Sequence, residues 1–251
     1  MLIISTMAII GVVLGFIGAG GSGFIIAILT VIFGIPIQTA FGTSLVAMVF
    51  TTFSGAYSHF QQNNVAVKIG IVVGLWGAIG SLCGTRLADL LPVYDLRWMT
   101  AGMLFLSALV LWFRMFILVR IQKLSTGLTP LFSDARFWLF SCFIGLVTGT
   151  LSGTFGIGST PFIQIGLLTM FRLSTRQSAG TTMLVILPIA LAGGIGYYSL
   201  GHLNFWLLFK VLLGTMSGAY IGAKLTGRVH PSILKIGMIV VPIIGGVLMI
   251  I

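Results

Sequence analysis

Glutamate is absent from this 251-residue sequence, and the acidic residues are three aspartates, Asp89, Asp95 and Asp134. Charged residues of both signs make up only 6% of the chain, against about 25% in soluble domains. A surface so poor in charge cannot be solvated by water, which excludes an ordinary soluble fold. The two cysteines, Cys83 and Cys142, sit inside apolar runs without a CxxC pair, so no redox or metal site is expected and both read as small packing residues. No Lys or Arg precedes Lys68. The N-terminus therefore lacks the positive n-region of a cleavable signal peptide, and the first helix is expected to stay in the mature protein. No ATP-binding motif is present, and no clustered nucleophile and base lies within an apolar run. An intramembrane enzyme is disfavoured on that ground, and no cofactor is expected. Each Asp falls at a helix end or in a loop, so the chain offers no mid-membrane carboxylate for a proton or sodium relay of the usual kind.

What the sequence does have is apolar length. Hydrophobic residues fill 58% of it, and 34 residues are glycine. Runs long enough to cross about 30 Å of hydrocarbon recur along the chain. In lipid such runs must be helical or closed barrels, because the backbone finds no outside partners. The short alternating segments of a barrel do not occur. The fold expected is an all-α integral membrane protein, one transmembrane domain over 1–251. Helices are expected at about 2–17, 22–33, 39–60, 66–88 and 96–119, then at about 136–154, 159–171, 177–199, 204–227 and 232–251.

These two sets of five are copies. Shifting the sequence by 138 residues lays Gly11, Gly15, Gly18, Gly20, Gly42, Gly55, Gly80 and Gly84 on Gly149, Gly153, Gly156, Gly158, Gly180, Gly193, Gly218 and Gly222. The same ungapped register lays GTSL (42–45) on GTTM (180–183) and GTRLA (84–88) on GAKLT (222–226). Repeat one is expected at about 1–119, a linker at about 120–135 and repeat two at about 136–251. Internal duplication of this kind is common in secondary transporters.

The segments 22–33 and 159–171 are too short to span, and each follows a glycine cluster, GAGGSG (18–23) or GTFGIGSTP (153–161). Each cluster reads as a break inside the membrane followed by a half-helix. If both broken elements crossed fully, the loop cations would divide almost evenly. If both are re-entrant, ten of the thirteen cations (Lys68, Arg114, Arg120, Lys123, Arg136, Arg172, Arg176, Lys224, Arg228 and Lys235) share one side. Arg86 and Arg97 then face the other side, and Lys210 lies within a helix. That asymmetry fits the positive-inside rule. It gives two inverted repeats, each with a broken re-entrant helix and three spanning helices, and both termini outside.

Inverted repeats bring their breaks together near the midplane. A helix that starts inside the membrane offers unpaired N–H groups and the positive end of its dipole. Gly20, Gly21 and Ser22 open one half-helix; Gly158, Ser159 and Thr160 open the other. Thr43 and Ser44, with their repeat counterparts Thr181 and Thr182, can add hydroxyl donors from adjacent helices. Donors without a fixed negative charge suit an oxyanion. The bland alternative is that the glycines are tight helix crossings and the hydroxyls bond back to their own helices. Lys210 is expected to snorkel, Arg86 and Lys224 to complement helix C-termini, and His59 and His202 to lie at interfaces. The net charge of +10 reads as loops facing anionic lipid, not as nucleic-acid binding.

The paired patterns GAGGSG and GIGSTP, with AFGTS and SAGTT about twenty residues after them, resemble the TauE/SafE family of sulfite exporters, also called the 4-toluene sulfonate uptake permease family. The resemblance covers nearly the whole chain, including the GTR and GAK helix ends. It implies transport of sulfite, organosulfonates or related anions across a cell membrane. Two departures touch the site. No proline follows GAGGSGFII until Pro36, and Ser159 and Thr160 stand where the family pattern would place further glycines. The function expected is a secondary transporter of small sulfur-containing anions. The alternatives are a passive anion channel or a transporter of another small organic anion. The partners expected are the anion and the lipid bilayer, with a homo-oligomer left open.

Overall fold

The computed structural model describes residues 2–17, 22–114, 134–226 and 231–250. The described residues are helical apart from short connections: α1 (Leu2–Ile17), α2 (Ser22–Val31), α3 (Ile37–Gln61), α4 (Val67–Leu90), α5 (Val93–Phe113), α6 (Asp134–Phe155), α7 (Thr160–Thr169), α8 (Thr175–Ser199), α9 (Phe205–Thr226) and α10 (Pro231–Ile250). The ten expected runs are these ten helices, with ends displaced by a few residues. Most of the expected linker, and the first glycine cluster through Gly21, lie outside the described residues.

Six helices (α3, α4, α5, α6, α8 and α9) are long and apolar enough to cross a membrane. Large apolar side chains such as Phe53, Leu75, Ile195 and Phe209 face outward, as lipid contact requires and water would not tolerate on this scale. At 10 residues each, α2 and α7 reach only about 15 Å, half the hydrocarbon thickness. Each is embedded in its own apolar cluster. Ile26 and Leu29 of α2 pack with Phe41 and Tyr197, and Ile163 and Leu167 of α7 pack with Ile144, Phe171 and Val185.

Glycine sets the closest packing. Along α4 and α6, a Cβ on Gly149 would overlap the Gly77 carbonyl, and one on Gly153 the Ser81 carbonyl. A Cβ on Gly80 would stand 2.5 Å from the Leu146 carbonyl oxygen. Residue numbers rise together across this seam, so α4 and α6 run parallel. The seam between α1 and α9 repeats the arrangement: Gly218 abuts Ala8, and a Cβ on Gly11 would lie 2.6 Å from the Thr215 carbonyl oxygen. The repeat register relates the two seams, since Gly11 and Thr215 correspond to Gly149 and Gly77. Other contacts come in matching pairs too: α2 on α3 with α7 on α8, and α2 on α10 with α7 on α5. Helices α3 with α8, and α5 with α10, pack on their own counterparts.

Gly70, Gly74 and Gly77 of α4 lie against Leu184, Pro188 and Ile189 of α8, again in rising order. So α4, α6 and α8 all begin at one end of the bundle. Helix α7 is what lies between α6 and α8, so it carries the chain back to the end from which α6 started. The bend that permits this is Gly156–Ser159, with φ of +67° at Gly156, +61° at Gly158 and +46° at Ser159. The first two are conformations that favour glycine.

Candidate functional site

The two half-helix starts converge. Ser22 opens α2, and its Oγ lies 3.7 Å from where a Cβ on Gly158 would stand. Ile157, in the second break, reaches Gly23, with its Cγ2 3.7 Å from the corresponding Cβ position. Thus residues more than 130 positions apart in sequence share one buried spot, at mid-height on α3 beside Met48, whose Cε closes over Gly158.

Two polar side chains here lack a bond, as do the buried hydroxyls of Thr30, Ser81, Ser141 and Ser152 elsewhere among the described residues. Ser22 is 2% exposed, and its Oγ has no hydrogen-bond partner among the described residues. Thr160 Oγ1 is likewise buried and unpartnered. Ser22 and Thr160 are equivalent under the 138-residue repeat, each the first residue of its half-helix. Ser159, 2% exposed, stands before α7 without a side-chain cap bond. Among the described residues no carbonyl accepts from the N–H of Gly158 or Ser159, and Pro161 at the start of α7 has no N–H to offer. Leaving a buried hydroxyl unpaired costs about 1–3 kcal/mol. Two such hydroxyls, with free N–H groups and the N-terminal ends of two helix dipoles, form a buried cradle rich in donors. The one salt bridge among the described residues, His202 to Asp89 at 2.8 Å, lies in the α8–α9 connection and the last turn of α4, away from the cradle. No cluster of His, Cys, Asp or Glu able to hold a metal occurs among the described residues.

The Gly-Thr motifs are placed differently. Thr43 Oγ1 donates to the Thr39 carbonyl at 2.7 Å and Thr182 Oγ1 to the Ser178 carbonyl at 2.7 Å. Ser44 Oγ donates to the Phe41 carbonyl at 2.9 Å and also meets the Gly156 carbonyl at 3.3 Å, so it pins the second break to α3. Thr181 Oγ1 accepts from the Ala66 N–H at 2.9 Å, capping the entry to α4. A hydroxyl has one proton; where it serves a carbonyl it cannot also serve an anion. The structure therefore brings Ser22, Gly158, Ser159 and Thr160 together and commits the protons of Thr43, Ser44 and Thr182 to carbonyls, while Thr181 serves the protein as an acceptor. Gly20 and Gly21 lie outside the described residues.

Several contributors escape sequence reasoning. Tyr197, fully buried on α8, donates from its hydroxyl to the Gly153 carbonyl at 2.7 Å and so steadies the end of α6 just before the break. Met48 roofs the break. Gln164, one turn into α7, is 6% exposed and receives a bond from Arg114 Nη1. A glutamine inside the otherwise apolar TPFIQIGLLT is the signal that marks it. Lys210 Nζ lies 5.1 Å from the ring centre of Trp206 near the start of α9.

The family model described as sulfite exporter TauE/SafE matches residues 3–249. A probable membrane transporter protein of Bacillus subtilis, YdhB, is 51% identical over 99% of each chain. A second from the same organism, YjnA, is 27% identical over 94% of each. A probable membrane transporter protein of Xylella fastidiosa is 23% identical over 91% of this chain and 85% of its own. No solved structure matches the chain significantly.

Proposed function

Because the chain belongs to the sulfite exporter TauE/SafE family, we propose that it is a secondary transporter of small sulfur-containing anions, such as sulfite, an organosulfonate or a related oxyanion. The observation that carries the reading is the pair of unpartnered buried hydroxyls, Ser22 and Thr160, at repeat-equivalent half-helix starts. An oxyanion seated between them receives hydroxyl and backbone N–H donors from both repeats and sits at two positive dipole ends. Because both half-helices contribute, a relative movement of the repeats would open the anion to one side and then the other, the general logic of repeat-built transporters.

The same reading includes an inverted topology with both termini outside. It is supported by the common starting end of α4, α6 and α8, by the return of the chain through α7, and by the one-sided distribution of cations. Cysteines added at the termini should label in intact cells; labelling only after the membrane is opened contradicts this topology. The scarcity of carboxylates favours a second reading, a passive anion channel, which a lack of dependence on any ion gradient would select. Flux into proteoliposomes of sulfite, sulfoacetate, thiosulfate and sulfate, with acetate as the carboxylate control, tests the substrate class. Uptake of the sulfur anions well above acetate is expected, and equal or absent uptake of all five overturns the reading.

A further inference from the structure

Outside the cradle, Arg114 is a cation turned into the protein, with a buried nitrogen that has no partner among the described residues. Arg114 follows the last residue of α5, at the end of the bundle where α4, α6 and α8 begin. Its side chain turns inward, where Nη1 donates to the Gln164 carboxamide and Nε is buried without a partner. Of the aspartates, Asp89 is engaged by His202 and Asp95 lies in the first turn of α5, at the other end of that helix. Burial pushes the guanidinium below its ordinary value, yet an arginine stays charged. A buried charge without compensation is among the costlier features a fold can keep.

Gln164 links this cation to the cradle. It lies four residues after Thr160 on α7, and positions i and i+4 share one helix face. Arg114, Gln164 and Thr160 therefore form a polar line from one end of the bundle to the half-helix start. Repeat one has no such line: the counterpart of Gln164 is Ile26, fully buried and apolar. Helix α7 is thus polar at a position where its repeat counterpart α2 is apolar.

We propose that Arg114 and Gln164 form a second anion subsite, one helical turn from Thr160, at which a small oxyanion is held on its way to or from the cradle. The transport role of this subsite rests on the function proposed above; its anion binding does not. The guanidinium supplies the charge and a free N–H, and the Gln164 carboxamide oxygen, by accepting from Nη1, orients it. Arginine suits this position because it stays charged under desolvation and binds planar oxyanion edges through two N–H groups.

The full-length protein serves for the test, purified for thermal melting with added sulfite, sulfate or phosphate and reconstituted for sulfite flux. In Arg114→Gln the half-saturating sulfite concentration should rise about tenfold, the equivalent of one charge-assisted hydrogen bond. Maximal flux should stay within about twofold, because the cradle is intact. The salt dependence of the half-saturating concentration should flatten. Arg114→Lys should recover part of the affinity, and Gln164→Leu should lose less than Arg114→Gln. If Arg114→Gln lowers the melting temperature but leaves half-saturation and salt dependence unchanged, the residue is structural and the subsite is overturned. If wild-type protein moves no sulfite yet is stabilised by anions through Arg114, the subsite stands and the transport reading falls. Absence of any anion-dependent stabilisation in the wild type overturns the subsite outright.

Discussion

The half-helix starts and the Gly-Thr motifs carry the same kinds of side chain, duplicated in the same register, yet they are in opposite hydrogen-bonding states. At the starts, Ser22 and Thr160 have buried hydroxyls with no partner among the described residues. At the motifs, Thr43, Ser44 and Thr182 donate to carbonyls and Thr181 accepts from Ala66. A hydroxyl inside a regular helix has a carbonyl one turn back to which it can donate, whereas the first residue of a half-helix has no turn before it. Position in the helix is not the whole difference, since Ser81, Ser141 and Ser152, inside α4 and α6, are also buried without a partner among the described residues; what sets Ser22 and Thr160 apart is that they are repeat equivalents, each at a half-helix start.

The harshest way to break the comparison is to fill the cradle. Gly158→Val should abolish flux, because the side chain would overlap Met48 and would stand at φ +61°, a conformation costing a β-branched residue at least about 1–2 kcal/mol. The control is Gly149→Val on the α4–α6 seam, which should lower thermal stability first and flux only as folded protein is lost. Equal residual flux per folded molecule in the two variants would make the break a packing device.

A gentler change sharpens the distinction by sign. Ser22→Ala and Thr160→Val each remove a buried hydroxyl that has no partner. Substrate affinity should fall by about 0.5–3 kcal/mol, while thermal stability holds or rises, since an unsatisfied group is deleted. Thr181→Val should do the reverse. It strands the Ala66 N–H and should cost about 1 kcal/mol of stability with affinity unchanged. Binding isotherms and melting curves on the same preparations check all three. The smallest effect is expected from Asp89→Asn, which removes a partly exposed pair with His202 worth about 0–1 kcal/mol and should leave flux largely intact.

Element order was legible in the sequence almost throughout, because apolar length and glycine clusters act locally: each run became a helix and the second cluster became the bend at Gly156–Ser159. The seams were legible only as glycine pairs. Which helix each glycine faced, Gly77 for Gly149 and Ala8 for Gly218, depends on tertiary packing. Site chemistry was half legible. Composition pointed to Ser22, Ser159 and Thr160 and equally to Thr43 and Thr181, since residue type does not reveal whether a carbonyl lies one turn back or a neighbouring N–H needs an acceptor. Tyr197 and Gln164 carried no glycine motif to mark them, and their roles arise from contacts with Gly153 and Arg114 on distant segments.

The central claim is that the two half-helix starts bind one anion together. Sulfite affinity and melting temperature of a Ser22→Ala/Thr160→Val double variant, measured on one preparation beside the two single variants, test it most directly. The account predicts affinity lost in both single variants, a further loss in the double, and a melting temperature at or above that of the wild type. Wild-type affinity in the double variant, with or without a change in melting, would contradict it.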